Sequence, residues 1–170
     1  PDAKMMAFDK HTGEEIWRVA RPERGQNWAT PFVWENAART EIVTAGTQGV
    51  RSYDVDGNVL WEIHGMSGLT IPTPFAKHGL LYISSGYPGG GLRPVYVVKP
   101  GASGDISIWS QEDMRTGLSS GFPGTKASSD DVAWAYPLLG TYNTSALVYG
   151  DYYYTLLDRG FLVAHDARTG

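Results

Sequence analysis

At 170 residues, with 42% apolar and 19% charged positions, the chain has enough to bury for a packed domain, which excludes disorder along its whole length. A net charge of −4 with 14 scattered Lys and Arg excludes the concentrated basic face that nucleic acid requires, and no apolar run reaches the roughly 18 residues of a membrane span. The absence of cysteine removes disulfides, thiolate metal sites and a cysteine nucleophile.

The chain opens at Pro1, without a charged n-region and apolar h-region, as expected where a leader has been removed or was never included. Residues 7–17 read Ala-Phe-Asp-Lys-His-Thr-Gly-Glu-Glu-Ile-Trp: the end of a strand, a tight turn and the start of another strand. Residues 29–34 form a short apolar run, closed by a charged turn at 35–39. Residues 41–45 are rich in β-branched side chains, residues 50–55 alternate, Asp56-Gly57 is a hairpin signal, and residues 58–63 carry Trp61. The four-strand order then recurs, with strands expected near 72–76, 80–85, 94–98 and 105–109. It begins again at 144–149, 152–157 and 161–165. No segment shows sustained helical periodicity.

Gly13 and Gly57 lie 44 residues apart, as do Trp17 and Trp61, and the last eight residues end in Asp166-Ala-Arg-Thr-Gly170. A period in the forties with a strand–turn–strand signature marks a propeller or related repeat array. In each turn the Asp (Asp9, Asp54, Asp166) can accept hydrogen bonds from backbone N–H groups ahead of it, and the Gly supplies a positive φ. The Trp is large enough to fill the gap between neighbouring sheets while its indole N–H finds a carbonyl. These are structural roles.

Ala7-Phe8-Asp9-x-x-Thr12-Gly13-x-x-x-Trp17 resembles the repeat of the pyrroloquinoline-quinone-type (PQQ-like) β-propellers, a quinoprotein-dehydrogenase-like, WD40-like superfamily. The copy from Asp54 to Trp61 is one residue short, and residues 97–109 replace the turn with Lys-Pro-Gly-Ala-Ser-Gly-Asp. The resemblance covers most of the chain outside 110–135, and residues 90–106 look most like an uncharacterised exported bacterial group. It implies an all-β fold of four-stranded antiparallel blades in a ring of about seven or eight. The chain is then a partial β-propeller of about three blades: half a blade at 1–19, blades at 29–63 and 72–109, a loop insertion at 110–135 and an incomplete blade at 143–170. Completion is expected from the remaining blades of a longer chain, or from self-association.

In such a ring the loop from a blade's fourth strand to the next blade, and the loop between its second and third strands, share one face. The candidate ligand-binding residues on it are Asn27 and Trp28, aligned with Thr70-Ile71 and with Tyr142 and Asn143, together with Tyr87 and Arg93 in the Gly-rich loop 84–94. Residues 110–131, in the longest connection expected on this face, read as a Ser/Gly/Asp-rich insertion that is either functional or a mobile surface loop. Residues 87–93 match neither a P-loop nor a dinucleotide fingerprint. His11, His64, His78 and His165 lack metal-ligand spacing, Asp130-Asp131 and Glu112-Asp113 lack an EF-hand alternation, and no Gly-x-Ser-x-Gly elbow occurs. No catalytic or metal residue is therefore assigned.

Two functions follow from the resemblance. One is a non-catalytic binding or scaffold module of an exported, periplasmic or secreted bacterial protein, taking a protein or small-molecule ligand on the loop face. The other is a fragment of a quinoprotein dehydrogenase that oxidises alcohols or sugars with PQQ and calcium. The missing cysteines weigh only against members that use a vicinal Cys pair.

Overall fold

The computed structural model describes residues 3–21, 26–47, 49–89, 91–110 and 126–170. Strands β1 (Lys4–Phe8) and β2 (Glu15–Ala20) form a hairpin. The next sheet holds β3 (Phe32–Glu35), β4 (Thr40–Gly46), β5 (Gly49–Tyr53) and β6 (Val59–His64), each antiparallel to its neighbour. A third comprises β7 (Phe75–Lys77), β8 (Leu80–Ser84), β9 (Val95–Val98) and β11 (Val132–Tyr136). Strands β12 (Leu147–Tyr149), β13 (Tyr152–Leu156) and β14 (Leu162–Asp166) make the last. The expected all-β arc of antiparallel blades is what the chain forms.

Strand alternation sorts side chains to the two faces of each sheet, and the middle sheets are buried on both. Leu81 and Ile83 of β8 join Trp34, Val43, Trp61 and Ile63 in one core. Tyr82 of the same strand, with Val95 and Val97 of β9, faces Trp134 and Tyr153 in a second. Tyr82 and Tyr153 stack at 5.7 Å, and Trp134 meets Tyr153 edge-on at 5.5 Å, both favourable ring geometries.

The repeated turn has one construction in three places. The Asp9 carboxylate accepts N–H bonds from His11 and Thr12, Asp54 from Asp56 and Asn58, and Asp166 from Arg168 and Thr169, at 2.8–2.9 Å. Gly13, Gly57 and Gly170 close these turns at φ of 76°, 88° and 76°. The tryptophan then bolts one sheet to the next: Trp17 Nε1 donates to the Val55 carbonyl and Trp134 Nε1 to the Ala167 carbonyl, each at 2.9 Å.

Two expectations are corrected. The fourth strand of the 72–109 unit is not 105–109. Ser107 donates its N–H and hydroxyl to the Asp105 carboxylate, a local turn that competes with ladder pairing. Only β10 (Gly104–Asp105) pairs there, and it runs parallel to β6 as a fifth strand of the preceding sheet. The fourth strand is β11, whose Val-Ala-Trp-Ala-Tyr pattern buries Val132, Trp134 and Ala135. The long connection 99–131 therefore joins third to fourth strand. Its described end reaches the Asp–Gly turn of the next unit, where Lys126 Nζ donates to the Thr169 carbonyl. The described residues 126–135 thus belong to the third-to-fourth-strand connection and to β11, while 111–125, most of the expected insertion, lie outside the described residues.

The second correction concerns Trp61, whose indole finds no carbonyl. It donates to the buried Glu41 carboxylate at 2.6 Å, which also accepts from Ser52, Asn36 and Arg39. Four converging donors satisfy a charge that would otherwise be costly to bury.

Candidate functional site on the loop face

The connections that remain on the candidate face, 21–31, 65–74 and 137–146, are of similar length, and each is tied to its neighbours. Thr47 Oγ1 donates to the Gln26 carbonyl and accepts from the Leu69 N–H, while Trp28 N–H donates to the Thr70 carbonyl. The buried Thr70 hydroxyl donates to the Gly46 carbonyl. Further along, Ser67 N–H donates to Ser85 Oγ and Tyr87 N–H to Ser67 Oγ. A ladder of hydroxyl-to-backbone bonds thus fixes the loops of successive sheets to one another.

Glycine makes the tightest crossing possible. A Cβ on Gly140 would lie 2.1 Å from the Ser85 carbonyl oxygen and 2.5 Å from that of Pro94. One on Gly86 would lie 2.4 Å from the Thr141 carbonyl carbon. Here Arg93 N–H donates to the Pro137 carbonyl and Gly140 N–H to the Arg93 carbonyl. These bonds bring the Gly-rich loop of the third sheet onto the 137–140 connection.

That crossing forms one wall of a cleft of about 340 Å³. Pro88, Arg93 and Leu138 line it on one side, and Leu157, Arg159 and Phe161 of the last sheet on the other. Asp158 also borders it, but its oxygens accept the N–H groups of Tyr142 and Asn143 at 3.0 and 3.4 Å. Beside it, a smaller cavity of about 250 Å³ shares Leu138 and Leu157 and reaches His165. Burial pushes the His165 imidazole below its usual range, so it favours the neutral form, with its ring 5.2 Å from that of Tyr136.

Of the sequence candidates, Tyr87 and Tyr142 meet edge-on at 5.3 Å, Arg93 lines the cleft, and Asn143 shares Asp158 with Tyr142. Asn27 and Trp28 stand at a different junction, with Asn27 close to Gly46 and Trp28 55% exposed. Sequence reasoning missed Arg159 and Phe161, which follow the short Leu157-Asp158 turn and carry no motif. It also missed Arg21, only 8% exposed, whose Nε and one terminal nitrogen have no hydrogen-bond partner among the described residues.

Residues 1–93, more than half of the chain, match the PQQ-repeat family model described as outer membrane protein assembly factor BamB. The chain belongs to this family. Among solved structures, the BamB-like chain is similar to BamB from Moraxella catarrhalis, at 14% identity and a TM-score of 0.40. That match covers 98% of the present chain and 53% of the Moraxella protein, so the chain spans about half the length of that BamB. No curated protein matches it.

The family name raises PQQ and calcium as possible occupants. Among the described residues, no three His, Cys, Asp or Glu side chains converge on a point that could hold a metal ion.

Proposed function

We propose that this BamB-like segment is a non-catalytic binding or scaffold module of an exported bacterial protein, acting in the periplasm or outside the cell. The supporting observation is the loop-face cleft. It is built on backbone contacts that only glycine permits, and it presents apolar side chains beside the Arg93 and Arg159 guanidiniums. A preformed concave site with a few polar groups is the usual form of a recognition site. The family description, which names an assembly factor, supports a role exercised through contact with other macromolecules.

Both ends of the arc show apolar sheet faces, with Phe8 and Ile16 exposed at one end and Tyr149, Tyr152 and Leu162 at the other. Further blades or a second copy would cover them, leaving the loop face available.

The test is a peptide library displayed against the chain. Binding should be lost when the exposed cleft residues are changed by Leu138→Asp with Phe161→Asp, and retained in Tyr149→Asp. Loss through Tyr149→Asp alone would place recognition on the sheet face and overturn the proposal.

A further inference from the structure

The cleft's lining combines two chemistries, and the combination specifies a ligand. Leu138, Leu157 and Phe161 contribute apolar surface, with Phe161 itself 66% exposed. The same lining holds two arginines, Arg93 from the crossing and Arg159 from the last sheet, neither of which has a side-chain hydrogen bond or ion pair among the described residues. Other arginines of the chain are committed: Arg168 to Asp151 and His78, and Arg51 to Glu62. In a chain of net charge −4, two unpaired guanidiniums on one apolar cleft are a local reversal of sign. The acid at the rim, Asp158, is occupied by two backbone N–H groups.

We infer that this cleft binds an extended acidic peptide, taking a side-chain carboxylate between Arg93 and Arg159 and the neighbouring large apolar side chain against Leu138 and Phe161. A guanidinium pairs with a carboxylate through two parallel N–H bonds, which orients as well as attracts. The apolar surface rewards a bulky side chain next to the acid. A volume of about 340 Å³ suits two adjacent side chains better than a folded surface. The inference rests on the loop-face reading above and adds the ligand's class to it.

The experiment is fluorescence anisotropy on the full 170-residue chain with end-blocked, dye-labelled peptides containing Glu-Leu, Gln-Leu or Lys-Leu at their centre. The Glu-Leu peptide is expected to bind at least about tenfold more tightly than the Gln-Leu peptide, with the Lys-Leu peptide weakest. Arg93→Glu with Arg159→Glu should reverse the order of the Glu and Lys peptides. Should that variant fold poorly, the wild-type chain still answers, because raising KCl from about 50 to about 500 mM must weaken the Glu-Leu peptide selectively. Equal binding of all three peptides, blocked by Leu138→Asp, would overturn the acidic preference and leave the loop-face module standing. No binding of any peptide would overturn the inference. If the display experiment also found no binder on this face, the module reading would fall with it.

Discussion

Gly57 carries two demands that a single alanine separates. Its φ of 88° places it in the left-handed region, and an added Cβ would lie 3.0 Å from Trp17 Cδ2 and 3.1 Å from both Trp17 Cε3 and Val19 Cγ2. The backbone term for alanine is about 1–2 kcal/mol. Crowding a ring that is already held by its bond to Val55 adds about 1–3 kcal/mol, the usual cost of overpacking. Gly57→Ala should therefore destabilise the chain by about 2–5 kcal/mol. Gly13 has a similar φ of 76° and no atom within 4 Å of its Cβ position, so Gly13→Ala should show only the backbone term. The assay is urea unfolding followed by tryptophan fluorescence and far-UV circular dichroism. In a Trp17→Ala background most of the excess at Gly57 should vanish, as a double-mutant cycle would report. Equal costs at Gly13 and Gly57, or an excess that survives removal of Trp17, would refute the wedge.

Glu41→Gln leaves four converging donors facing one carbonyl and one amide group, and is expected to cost about 3 kcal/mol in the same unfolding assay. Asp9 and Asp166 are held below the ordinary carboxylate range chiefly by backbone N–H groups, and Asp54 chiefly by the Asn58 side chain. Their unfolded forms bind protons more readily, so their contribution is present above about pH 4 and lost as pH falls through the depressed folded values. Asp54→Asn should make acid unfolding measured by circular dichroism less steep in that window. Arg21→Met replaces a buried guanidinium, two of whose nitrogens are unpaired among the described residues, by an apolar side chain of similar length, and should leave the melting temperature unchanged or raise it.

Much of this fold was legible because the repeat reports local chemistry. Asp9, Gly13 and Trp17 each do a job that needs only the next few residues or the adjacent sheet, so their spacing alone exposes them. The fourth strand of the third sheet was not legible, because its partner is supplied after a long connection. Trp109 occupied the expected place while Trp134 performs the expected contact. Alternation in Val-Ala-Trp-Ala-Tyr was the available signal, and it was hidden by the insertion read across it. Trp61 departs from the pattern for another reason: Glu41, twenty residues earlier, offers its indole a stronger acceptor than a carbonyl.

The site was half legible. Arg93, Tyr87 and Tyr142 stand in loops with visible glycine and aromatic signals. Arg159 and Phe161 come from the last sheet and meet the wall that Gly86 and Gly140 make by letting two other backbones cross closely. Such a juxtaposition is a property of the packed sheets, and neither loop announces it alone.

Recognition on the loop face is tested most directly by amide spectra of the isotope-labelled chain during titration with the Glu-Leu peptide. Saturable shifts are expected at residues 86–93, 137–142 and 157–161, with β3 and β7 unmoved. Shifts confined to the outer face of β12–β14, or none at saturating peptide, would contradict it.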